Sequence, residues 1–236
     1  MEAPFDVGFI TYSDTPKGKD PDSYSPTLRR YHRMLWSKET PSGEILNLTQ
    51  NTPKAYLHHK SQNQEFVFSS DAITHTYINT KRMASIIGCV PRHVLDAFYD
   101  STSTIGGYTI FPANRIDGKI NINGARGFNR KIGDRFDLTL ECIRLFYAGE
   151  PNPLNNTFQL YTDFFKLFRD FRGYVDFFLL QDLVTNDYSS VNFWIEFDEF
   201  TRSPFPISVE EYLDYKSNVL EFVENRAQRM AQYFGI

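Results

Sequence analysis

The sequence predicts an α+β fold in a single domain, with a short antiparallel β-meander in the N-terminal half packed against a Phe-rich helical C-terminal half. Three observations predict it. Between Glu44 and Ile78 the apolar residues come in short runs of period two, each closed by Asn, Pro, Gln, Ser or Asp. Beyond about residue 130 the period lengthens to that of a helix, and most of the 22 Phe fall there. No internal repeat, low-complexity tract or Gly/Ser/Pro-rich linker divides the 236 residues. Strands first and helices afterwards argue against βαβ repetition. Residues 1–236 are therefore read as one domain, with a β-rich portion at 1–112 and a mainly helical portion at 113–236.

The elements follow in order. Residues 1–25 read as loop, with Pro4, Pro16, Pro21 and the turn-forming DPDSYS. Ser25 followed by Pro26 is a helix start, a capping hydroxyl before a proline at the first helical position. Leu28, Tyr31, Leu35 and Trp36 then share one face. PSG at 41–43 is a turn. Four strands are expected at ILNL (45–48), AYLH (55–58), FVFS (66–69) and THTYI (74–78). Two short helices are expected over KRMASII and from Pro91, then a strand over IGGYTIFP (105–112), ended by its proline. Three helices are expected at 134–147, 157–172 and 174–184. A long last one starts at Ser208, with Glu211 three residues on as its capping-box partner.

Composition excludes several classes. The chain carries 25 Lys+Arg against 29 Asp+Glu, so it is neither a strongly basic nucleic-acid binder nor a polyacid. No run of about 18 apolar residues occurs, so no transmembrane helix and no membrane partner is expected. The acidic N-terminus lacks a signal-peptide pattern, and two lone cysteines in apolar contexts, Cys89 and Cys142, read as buried free thiols. Both point to the cytoplasm. No P-loop, G-x-G-x-x-G, H-E-x-x-H, C-x-x-C or G-x-S-x-G occurs. The five histidines show no metal-ligand spacing, so no metal is assigned, and no cofactor can be named.

One stretch concentrates chemistry. Residues 115–133 hold Arg115, Lys119, Arg126, Arg130 and Lys131 against one acid, Asp117, and four glycines besides. A basic, glycine-rich loop feeding a helix can present cations and backbone N–H groups to an anion. Arg126, Arg130 and Lys131, with Arg135 and Arg144 nearby, are therefore the candidate ligand-binding residues. In the following helix Asp134, Asp137, Glu141 and Arg144 form one charged stripe between two apolar flanks. A partly desolvated stripe is either a salt-bridge network holding loop to helix, or a polar cleft. In the second case Asp137 and Glu141 are the candidate general acid/base pair. Hydroxyls in SSDAITH (69–75) and STSTIGG (101–107) have no base tied to them by the sequence.

The strings LRRYHRMLWSK, TIGGYTIFP, INGARGFNRKIGDRFDLTLECIR and FRGYVDFFLLQDLV together resemble an uncharacterised bacterial or phage family, a domain of unknown function, over nearly the whole chain. The resemblance implies one full-length domain and a prokaryotic, cytoplasmic source, and it transfers no activity. The sequence leaves two expectations. One is a protein that binds or acts on a phosphate-bearing ligand, a nucleotide or nucleic acid, in a defence or toxin setting. The other is a non-catalytic interaction module or homo-oligomer using an aromatic surface.

Overall fold

A computed structural model describes residues 4–50, 56–62 and 64–236. Asp20 caps a single helical turn, α1 (Pro21–Tyr24), and Ser25 caps α2 (Pro26–Trp36), its Oγ accepting from Leu28 N at 3.1 Å. Asp14 extends that cap, accepting from Ser25 Oγ at 2.6 Å and from Thr27 N at 2.9 Å. The buried face of α2 is Leu28, Tyr31, His32, Leu35 and Trp36, the apolar stripe plus one histidine.

The meander is thinner than the sequence suggests. Among the described residues three antiparallel strands form, β1 (Leu57–Lys60), β2 (Glu65–Ala72) and, after two helices, β3 (Tyr108–Pro112), in the order β1-β2-β3. Leu57 pairs with Phe68 and Ser70 with Ile110. The run at 45–48 reaches only isolated bridges, Glu39 to Ile45 and Thr49 to His58. Ala55, the first residue of the expected 55–58 strand, lies outside the described residues. The 74–78 run is no strand, because side chains replace its ladder. Tyr212 OH donates to Thr76 O at 2.9 Å and Tyr215 OH to His75 O at 2.8 Å, while Tyr77 sits at φ 59°.

Between the second and third strands lie α3 (Ala84–Ile87) and α4 (Arg92–Thr102). The basic segment holds a short helix rather than a continuous loop, α5 (Ile122–Phe128), whose Asn121 cap accepts from Gly124 N at 3.0 Å. Then comes α6 (Phe136–Ala148), buried at every position from Phe136 to Ile143 and stopped by Gly149 at φ 73°. The expected 157–172 helix is instead α7 (Asn155–Leu160) and α8 (Thr162–Lys166), broken at Tyr161 and ended by Arg169 at φ 65°. Asp170 caps α9 (Phe171–Phe177), earlier than the expected 174 start. Leu179 at φ 56° ends that run and a 3₁₀ turn follows at Gln181–Leu183. A continuous helix over 157–184 would leave part of its Phe-rich circumference in water. The breaks let Phe158, Phe164, Phe165, Phe168, Phe177 and Phe178 all reach the same core.

The last helix, α10 (Val209–Phe234), buries Tyr212, Tyr215, Val219, Phe222, Val223, Arg226 and Met230 along one side. Ser208 caps it as the sequence predicts. Glu211, however, reaches past Ser208 to accept from Ile207 N at 2.7 Å. The turn before the third strand touches α10 so closely that a Cβ on Gly106 would lie 2.6 Å from Val223 O. That approach lets Arg226 donate to Gly106 O and Tyr108 O, both at 2.8 Å, and to Phe178 O at 3.0 and 3.3 Å. One buried hydrophobic cluster runs from Phe5 to Met230 and joins both halves.

Candidate functional site

The seven residues singled out in sequence do not meet in one cavity. Arg135 and Asp137 form an internal fork-on-fork pair, 1 % and 0 % exposed. Their remaining capacity goes to backbone: Arg135 donates to Pro204 O at 3.2 Å, and Asp137 accepts from Trp194 N at 3.0 Å. Glu141 takes Arg144 one helical turn on, with both N···O distances 2.8 Å. The first pair links the residue before α6 to its first turn, and the second stays within the helix. Arg130 and Lys131 are exposed and make no ion pair among the described residues.

Arg126 is different. It is fully buried, with its guanidinium 5.5 Å from the ring centroids of both Phe111 and Phe136. Its Nε donates to Thr139 Oγ1 at 3.0 Å, one terminal nitrogen pairs with Asp71, and the other lies 3.6 Å from Asp134. Asp71 is the last residue but one of the second strand, and Asp134 stands just before α6 at φ 65°, a conformation that a non-glycine residue enters only when its surroundings hold it there. Both aspartates also line a cleft of about 260 Å³.

That cleft is the candidate site. Asp20 and Asp22 bring two more carboxylates from α1, Thr74, His75 and Thr76 come from the segment tied to α10, and Tyr99, Thr102, Ser103 and Tyr108 close the rest. Four aspartates and a histidine thus converge from three stretches far apart in sequence, and no lysine or arginine lines the opening. Burial, together with the neighbouring Asp20 carboxylate, pushes Asp22 up to about 7. Burial pulls His75 below the ordinary imidazole range, with Asp134 opposing. A carboxyl titrating near neutrality, in one cleft with a histidine biased to its neutral form, is an arrangement able to accept and return a proton. Among the described residues no three His, Cys, Asp or Glu side chains are spaced to hold a metal ion.

Among the described hydroxyls of the 69–75 and 101–107 runs, Ser70 gains a histidine partner, its Oγ 2.9 Å from His32 Nε2. The pair cannot act as nucleophile and base. Trp36 Nε1, a donor only, gives its hydrogen to His32 Nδ1 at 3.1 Å. The proton of the neutral ring is therefore on Nε2, pointing at the serine it would have to deprotonate. Burial, then the charge of Arg226, pushes His32 down to about 3, which keeps that neutral tautomer.

Asp20, Asp22, Asp71 and His75 escaped the sequence reading. DPDSYS looks like turn chemistry, Asp71 sits in a run valued for its hydroxyls, and His75 has no neighbour at ligand spacing. The one available signal was the run of acids at Asp14, Asp20 and Asp22 before a helix that needs only one cap.

No helix among the described residues is long and apolar enough to cross a membrane. The sequence profile of a family of unknown function (DUF6994) matches residues 5–230, and the chain belongs to that family. No curated protein and no solved structure matches it.

Proposed function

Since membership in this family assigns no chemistry, we propose from the cleft itself that the protein binds a small organic cation there, an amine or guanidine, with Asp22 exchanging a proton with it. The observation that carries this reading is the convergence of Asp20, Asp22, Asp71 and Asp134 on one cleft with no cation in its lining. Arg126 offsets part of that charge from within the wall, through Asp71 and Asp134. A protonated amine would complete the balance, and the hydroxyls of Thr102, Ser103 and Tyr108 would orient its polar remainder. A phosphate-bearing ligand finds less support, because Arg126, Arg135 and Arg144 are each committed to carboxylates. Both cysteines are free thiols, Cys142 buried as expected but Cys89 exposed, and an unpaired exposed thiol fits a reducing, cytoplasmic setting.

Thermal shift and calorimetry with spermidine and agmatine, against ATP as the anionic control, test the reading at pH about 6 and about 8. The amines should stabilise the protein and ATP should not. Stabilisation should be larger at the higher pH, where Asp22 has lost its proton. Asp22→Asn should weaken binding at least about tenfold and flatten its pH dependence. Stabilisation by ATP with none by either amine would reverse the assignment.

A further inference from the structure

A second, shallower groove runs along α10, with a volume of about 960 Å³. It continues into a hollow of about 210 Å³ that shares Phe193 and Trp194 with it. Its floor is aromatic: Phe193 and Phe197 stack with centroids 4.1 Å apart and planes 12° from parallel, beside the buried Trp194. Its charge is of one sign. Glu196, Glu211, Asp214, Asp182 and Glu221 line the two hollows, and no lysine or arginine does. Arg202 takes Glu196 and Glu211, and Arg229 takes Asp182. Asp214 and Glu221 are exposed and have no ion pair among the described residues.

The complementary surface is on the same chain. Phe128, at the end of α5, is 81 % exposed, an aromatic ring standing in water. Arg130 and Lys131 follow it and Arg115 and Lys119 precede its helix. All four are exposed, and none has an ion pair among the described residues. An exposed aromatic ring flanked in sequence by four unpaired cations complements, in chemistry and in charge, an aromatic floor whose Asp214 and Glu221 are unpaired. A polyanion is the less favoured occupant of the basic segment, because the whole chain carries net charge −4 and repels it.

We propose that the occupant of the α10 groove is a second copy of this chain, whose Phe128 enters the aromatic floor while its Arg130 and Lys131 meet Asp214 and Glu221. Because each copy owns both a groove and a Phe128 segment, two copies can exchange them reciprocally and close as a two-fold dimer. The contact is independent of the acidic cleft, none of whose lining residues it uses.

Light scattering and sedimentation between roughly 1 μM and roughly 1 mM measure the association directly. The wild-type chain should dimerise with increasing concentration and with decreasing salt. Phe128→Ser should weaken the dimer at least about tenfold. Two charge reversals give the decisive arm. Asp214→Lys with Glu221→Lys should be monomeric, as should Arg130→Glu with Lys131→Glu, while a mixture of the two variants should recover the dimer because both reciprocal contacts become attractive again. All these positions are exposed, so unchanged circular dichroism and melting will show that the variants fold. A wild-type monomer across the whole range would overturn the proposal. So would a dimer insensitive to every variant, or a monomer whose basic segment captures single-stranded oligonucleotide instead.

Discussion

Of the three fully buried arginines, Arg226 and Arg126 sit in seats of opposite kind, and the contrast separates scaffold from site. Arg226 faces no carboxylate. Its four hydrogen bonds all end on backbone carbonyls of Gly106, Tyr108 and Phe178, and its guanidinium carbon lies 5.9 Å from the Trp36 ring centroid. Burial lowers it to about 9, which still leaves it charged at neutral pH. The three backbone oxygens it meets have no proton to exchange, so its role is to hold α10 against the sheet and α9. Arg126 instead rests on Asp71 and Asp134, which are 16 % and 37 % exposed and share the acidic cleft. Its environment changes whenever the cleft gains a proton or a cation. A buried charge whose partners are all backbone is a fastener, whereas one whose partners face a cavity couples that cavity to the core.

The sharpest way to break this comparison is to remove the fastener. Arg226→Met leaves three buried carbonyls without their donor, at about 1–3 kcal/mol each. It should therefore lower the unfolding free energy in urea by at least about 3 kcal/mol. Amine binding by the folded fraction should be unchanged. A loss under about 1 kcal/mol would mean that water enters the seat and satisfies those carbonyls, and the distinction would fall.

Arg126→Met should cost less, roughly 2 kcal/mol, because Asp71 and Asp134 can turn to solvent through the cleft. Its informative effect lies elsewhere. Removing the internal cation leaves the cleft carboxylates uncompensated, so spermidine should bind more tightly, by about threefold to tenfold in calorimetry. The same substitution would abolish binding if Arg126 itself contacted an anionic ligand. One variant thus separates the cationic reading of the cleft from the phosphate reading.

How much of this was legible in sequence depends on the range of the interaction that decides it. The caps at Ser25 and Ser208 are local, and each stands where the sequence put it. The break at Tyr161 was hidden because Phe recurs so densely from 158 to 178 that an unbroken helix and a folded-back chain share the same pattern. The 74–78 run has the residues of a strand and loses that identity to Tyr212 and Tyr215, about 140 positions away. In the charged stripe, the sequence placed Glu141 and Arg144 on one face, where they form an ion pair. Whether Arg126 faced a ligand or a wall depended on Asp71, 55 positions earlier, which no spacing argument reaches. The cleft is built wholly from such long-range approaches, and so it was invisible.

The smallest expected effect is the most specific to the cleft. Asp22 titrates at about 7 in the fold, against an ordinary value near 3.9 in the unfolded chain. Between those values the folded state holds the extra proton, so this group's stabilising share is complete below about pH 4 and disappears as pH rises through 7. His32 acts in the opposite sense: lowered to about 3 from about 6.5, it destabilises the fold progressively as pH falls through that window. The two slopes overlap, so the wild-type curve alone will not separate them. Asp22→Asn will, because His32 contributes equally to both proteins and cancels in their difference. The variant should gain on the wild type by about 1–2 kcal/mol between pH about 5 and about 8, since Asn carries no proton to lose and Asp22 is partly open to screening by solvent. A constant difference across that range would mean that Asp22 titrates like an ordinary carboxyl. The cleft would then be a solvated surface rather than a site that shares a proton with its ligand.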